Sequence, residues 1–97
     1  MKKPIEIEDF FFSDGIVEEY EFDNNELKML FNDSCDSKLA FYFRDDIQVK
    51  ERGSVGLSVY ESRLKKNGDK TTLYLLDDDL KEMLIIQFRT YQIEEAN

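Results

Sequence analysis

A chain of 97 residues, 41% apolar and 36% charged, has room for one hydrophobic core, and its single cysteine excludes a disulfide-stapled scaffold. The absence of histidine removes the usual base near neutral pH, the Ser–His and Cys–His nucleophile pairs and the Cys/His zinc sites. A net charge of −9 opposes direct nucleic-acid contact through a basic surface, and no apolar run approaches the roughly 20 residues of a membrane-spanning helix.

The opening Met1-Lys2-Lys3-Pro4 begins like a charged leader, but Glu6, Glu8 and Asp9 interrupt any apolar continuation. With the lone cysteine, this leads us to expect an unprocessed, cytoplasmic chain. Period-two alternation then dominates. Residues 5–12 and 16–23 read as two strands flanking Ser13-Asp14-Gly15, with Gly15 supplying the positive φ of a tight hairpin. On the second run Ile16, Glu18, Tyr20 and Phe22 share one face, and Val17, Glu19, Glu21 and Asp23 the other. Asn24-Asn25 reads as a second tight turn, because asparagine tolerates the left-handed region.

Residues 26–32 place Leu27, Met29 and Phe31 on one side, and a polar break follows at 32–37. Residues 38–44 turn Leu39, Phe41 and Phe43 inward and Lys38, Tyr42 and Arg44 outward. Ile47 and Val49 mark a short strand. Val55, Leu57 and Val59 alternate inward against Ser58 and Tyr60. Asn67-Gly68 is the strongest hairpin signal, with Thr71, Leu73 and Leu75 leading away from it. Residues 82–93 carry Leu84, Ile86 and Phe88 on one face. The alternative there is one short helix near 78–84, N-capped by Asp78 or Asp79, opposed by the β-favouring Ile85-Ile86-Gln87-Phe88. The pattern predicts a single all-β domain, an antiparallel meander of seven or eight strands forming a small sandwich or open barrel.

Charge is unevenly distributed. Residues 4–27 hold nine acids and no base; with Lys2 and Lys3 the first 27 residues carry −7, while eleven bases and thirteen acids leave the other 70 at −2. Such a concentration reads either as a solvated edge protected against aggregation or as a negative patch that steers a positive partner. The four glycines match no phosphate-binding spacing. Asp45-Asp46 and Asp77-Asp78-Asp79 offer paired carboxylates for glycoside cleavage or calcium, but they fall in predicted turns and lack the calcium-loop spacing. Cys35 lies beside Asp33 and Asp36, which disfavour its thiolate. Arg63, Lys65, Lys66 and Lys70 read as a solvated hairpin with edge-protecting bases. Tyr42, Tyr60 and Tyr74 face outward and suit either an interface or a second covered sheet face.

Short, acidic, histidine-free and strand-rich throughout, the chain resembles the immunity proteins of polymorphic and contact-dependent growth-inhibition toxins, agents of bacterial competition. The resemblance implies a non-catalytic inhibitor, without cofactor or metal, that covers the basic active site of a nuclease-type toxin domain. The partner-binding residues expected are Glu6, Glu8, Asp14, Glu19, Glu21 and Asp23, with Tyr42 and Tyr60 as anchors, on a monomer or weak homodimer. The competing expectations are an anti-CRISPR or DNA-mimic inhibitor carried by a phage, and a self-associating accessory domain that pairs through an edge strand.

Overall fold

The computed structural model describes residues 6–33 and 37–96, and eight strands among them form two four-stranded antiparallel sheets. The strands are β1 (Ile16–Asp23), β2 (Glu26–Asn32), β3 (Lys38–Arg44), β4 (Gln48–Glu51), β5 (Glu61–Asn67), β6 (Lys70–Leu76), β7 (Glu82–Phe88) and β8 (Thr90–Glu95). The first sheet runs β1-β2-β3-β8 and the second β4-β7-β6-β5. This is the expected sandwich, with two meanders, β1–β2–β3 and β5–β6–β7. Its edges are completed by crossing chain, since β4 pairs with β7 and β8 returns to β3. The radius of gyration, 12.5 Å, matches the ~13 Å of a compact domain near 100 residues. Among the described residues no helix is long and apolar enough to cross a membrane.

Local chemistry explains the turns. Asn24 and Asn25 both take positive φ, 46° and 64°, the two-residue hairpin geometry whose twist suits flanking strands. Asn67 and Lys70 pair across the second such hairpin, with Gly68 at φ 66°. The core lies between the sheets. Leu27, Met29 and Phe31 of β2, with Leu39, Phe41 and Phe43 of β3, face Leu73 and Leu75 of β6 and Leu84, Ile86 and Phe88 of β7, and all are buried. Aromatic contacts run through it, Phe12–Phe31 at 5.3 Å, Phe31–Phe41 at 6.1 Å, Phe41–Phe43 at 6.0 Å and Phe43–Phe88 at 4.7 Å. Such pairs add about 0.5–1.5 kcal/mol each beyond the area they bury.

Four expectations are corrected. Residues 6–12 form no strand: a 3-10 turn at Ile7–Asp9 leads into irregular chain that inserts Ile7 and Phe12 into the core, so no hairpin precedes β1. Gly15 is needed for space, not for φ. A Cβ there would collide with the Phe31 ring and lie 2.9 Å from the Asn32 carbonyl oxygen, while the positive φ of that turn belongs to Asp14. Residues 55–59 make only isolated bridges, Val17 to Val55 and Ile16 to Ser58, leaving Val55 and Leu57 exposed. The run 82–93 breaks at Arg89, where the chain passes from the second sheet to the first. The helical alternative at 78–84 is not adopted, because Asp77–Lys81 closes as a turn and Leu84 pairs with Leu75. Cys35 lies outside the described residues.

Candidate protein-interaction surface

β1 is an edge strand, and its register decides where its acids point. The pairing passes from Val17↔Phe31 to Glu19↔Leu30, so Glu18 is an extra residue bulged out of the ladder. The bulge reverses the alternation. Val17 lies on the core face before it; after it Tyr20, half-buried against the core, and Phe22, still 53% exposed near the end of the strand, share the face of Met29 and Leu27. Glu19, Glu21 and Asp23 are thereby set in line on the solvent face, one every two residues, or about 6.7 Å. All three are exposed and make no ion pair among the described residues.

The other expected site residues go elsewhere. Glu6 and Glu8 sit at the opposite edge of the first sheet. Tyr91 of β8 donates its hydroxyl to Glu6 Oε2 at 2.9 Å and accepts the Ile7 N–H at 3.1 Å, and Glu8 Oε1 is 2.6 Å from Lys66 Nζ of β5. The Lys66 hydrogen bond, foremost, holds the Glu8 carboxyl below its ordinary range, and the same contact raises Lys66. Burial, foremost, raises the Tyr91 phenol. Asp14 and Tyr60 line a groove beside Asp77 and Asp78, away from the β1 acids. Tyr42 shares the outer face of the first sheet with Glu21, but Lys28 stands between them in register. Lys28 and Arg44 approach its ring, at 5.8 and 5.6 Å. The rest of that face is mixed in sign, with Glu26 bound to Arg44 at 2.5 Å and Glu18 to Lys38 at 3.8 Å. On this face the β1 row is the longest run of acids without an ion pair among the described residues, and Glu94 of β8, which accepts a hydrogen bond from Gln92, is a further one at the opposite edge.

The paired aspartates have local duties. Asp46 binds Arg89 at 2.8 Å, and Asp45 accepts the Thr90 hydroxyl at 2.9 Å. Carboxylate oxygens of Asp77, Asp78 and Asp79 lie within 4.8 Å of one another, but Asp77 Oδ1 already accepts the N–H groups of Asp79 and Lys81. This is a side-chain-capped turn.

A second surface was not grouped in the sequence. The outer face of the second sheet carries a groove of about 820 Å³ lined by Tyr74, Leu76 and Met83 and flanked by Arg52, Arg63, Lys65 and Lys81. The sequence signals a hairpin at Asn67-Gly68, but the loop forms one residue later, at 68–69, and that register sets Arg63↔Tyr74 and Lys65↔Thr72. Lys81 is brought there by the turn between β6 and β7, and Arg52 arrives only through the long-range pairing of β4 with β7. Comparison of the chain with protein-family models, curated proteins and solved structures gives no match.

Proposed function

We propose that this protein is a non-catalytic inhibitor that binds a basic protein through the β1 carboxylates, acting as an immunity protein that neutralises a nuclease-type bacterial toxin. One observation carries the reading: Glu19, Glu21 and Asp23 form an aligned, exposed row on an edge strand and make no ion pair among the described residues. Nuclease sites present lysine and arginine to a regular succession of phosphates, and a strand-borne row of carboxylates offers a rigid substitute. Acids of this kind raise encounter rates by about 10–10³-fold at low salt, and close charge pairs across such interfaces couple by ~1.5–7 kcal/mol. Glu6, Glu8 and Asp14 are dropped from the contact surface, and Tyr42 is retained only as a cation-flanked neighbour of the row.

The test uses the full chain carrying Glu19→Lys, Glu21→Lys and Asp23→Lys together. This change keeps the edge strand charged, and so protected from strand addition, while reversing its sign. The wild-type chain should capture a basic protein from native lysate at low salt, lose it at high salt, and protect cells in which that protein is expressed. The triple variant should capture little and fail to protect. Equal capture by the variant, or a captured protein whose expression needs no neutralising, overturns the reading.

A further inference from the structure

An ordered apolar ridge separates two grooves of unlike charge on the side of the molecule formed by the second sheet and its loops. The ridge residue is Leu57, 52% exposed, with Leu80 at 51% and Tyr60 at 57% beside it. Leu57 lines both grooves. On one side stand Arg52, Arg63, Lys65 and Lys81, with two acids among them, Glu82 and Asp77, the latter shared with the second groove. Of these four bases only Arg63 has an ion pair among the described residues, to Glu61 at 2.7 Å. On the other side the charged lining is Asp14, Asp77 and Asp78, all acidic.

The ridge is held rigidly. Glu51 accepts hydrogen bonds from the Gly53 and Ser54 N–H groups and the Ser54 hydroxyl, Leu57 N–H donates to the Ser54 carbonyl at 3.1 Å, and Gly56 N–H donates to the Val17 carbonyl at 2.8 Å. Leu80 is fixed at φ +60°, a region that a bulky residue occupies at a cost of about 1–3 kcal/mol and that recurs where strain serves a contact. The fold thus keeps apolar side chains in water on anchored backbone, which is the mark of an interaction site.

We infer that this surface pairs with a second copy of the chain across a twofold axis passing near Leu57. A twofold interface must be self-complementary, each patch meeting its own image. An apolar ridge with a basic groove on one flank and an acidic groove on the other meets that condition: rotation lays Arg63 and Lys65 of each subunit over Asp14 and Asp78 of its partner, with leucine against leucine at the centre. A partner of single sign would match one groove and oppose the other. None of Glu19, Glu21 and Asp23 lines either groove, so the dimer leaves the β1 row free, and the two proposals stand or fall separately.

Sedimentation equilibrium and light scattering over a concentration series provide the test. The wild-type chain should reach a dimer and go no further. Leu57→Asp, at an exposed position, should raise the dimer dissociation constant by about 30-fold or more, the factor for losing a central anchor. The variant Arg63→Glu/Lys65→Glu and the variant Asp14→Lys/Asp78→Lys should each be monomeric alone. Mixed in equal amounts they should form a heterodimer, since two acidic flanks then meet two basic ones. A wild-type chain that stays monomeric at millimolar concentration overturns the inference. So do assemblies larger than two, a dimer indifferent to Leu57→Asp, or a mixture of the reciprocal variants that does not associate.

Discussion

Tyr91 and the Glu8–Lys66 pair fasten the N-terminal segment to the sandwich, and each responds to pH in a definite direction. Glu8 titrates below its ordinary 4.5, so its contribution is complete above that value and is lost as pH falls through the lowered one. Lys66 and Tyr91 titrate above their ordinary 10.5 and 10.0. Their contributions are complete below those values and are lost as pH rises through the raised ones. The segment should therefore loosen at both acid and alkaline extremes. In Lys66→Gln the Glu8 carboxyl, followed by NMR, should rise toward the ordinary range, its own backbone hydrogen bond still holding it down in part, and the stability difference from wild type should vanish once Glu8 is protonated. An unmoved Glu8 titration would show that the contact is not formed in solution. Tyr91→Phe should remove one phenol from the alkaline end of the absorbance titration, above the ordinary tyrosine range.

At the level of elements, the turn between β6 and β7 sets a small conflict between folding and contact. Asp77 N–H donates to the Lys81 carbonyl and Leu80 N–H to the Asp77 carbonyl, both at 2.9 Å, and this closure holds Leu80 in the left-handed region. Relief of that conformation is worth about 1–2 kcal/mol, against a glycine entropy cost of about 0.5–1 kcal/mol. Leu80→Gly should therefore stabilise the monomer, by roughly 0.5–1 kcal/mol in denaturant unfolding. A destabilised variant would mean that the leucine packs more than its exposure indicates. The strands themselves were largely legible, because Asn24-Asn25 and Asn67-Gly68 carry turn chemistry and β2, β3, β6 and β7 alternate cleanly about the core. Two things were not. A segment that inserts Phe10 and Phe12 between sheets alternates in sequence much as a strand does, and nothing local distinguishes them. A one-residue bulge at Glu18 leaves no mark in composition, yet it decides which face Tyr20 and Phe22 take. The row Glu19, Glu21 and Asp23 survived because a single strand carries it. Its grouping with Glu6, Glu8 and Asp14 presupposed a hairpin that is not formed.

For the whole molecule, the surplus of acid should show in the salt dependence of stability. The ion pairs described lie between partly exposed side chains, for which about 0–1 kcal/mol each is typical. A net charge of −9 on a body 34 × 29 × 24 Å places many like charges within a Debye length of about 10 Å at 0.1 M. Screening of repulsion should outweigh screening of the pairs, and the melting temperature should rise as sodium chloride is added from low ionic strength. A melting temperature that falls would show that the ion pairs dominate.

Arg89 is the single residue between β7 and β8. Its N–H lies 3.1 Å from the carbonyl oxygens of both Arg44 and Asp45, and its guanidinium reaches Asp46 at 2.8 Å and Asp69 at 3.5 Å. So short a passage gives the two layers no slack to shear past each other, and its contacts tie the tips of two other connections to the same corner. Little ordering of the framework would then be left for the moment of encounter, and an incoming protein would meet an already shaped template.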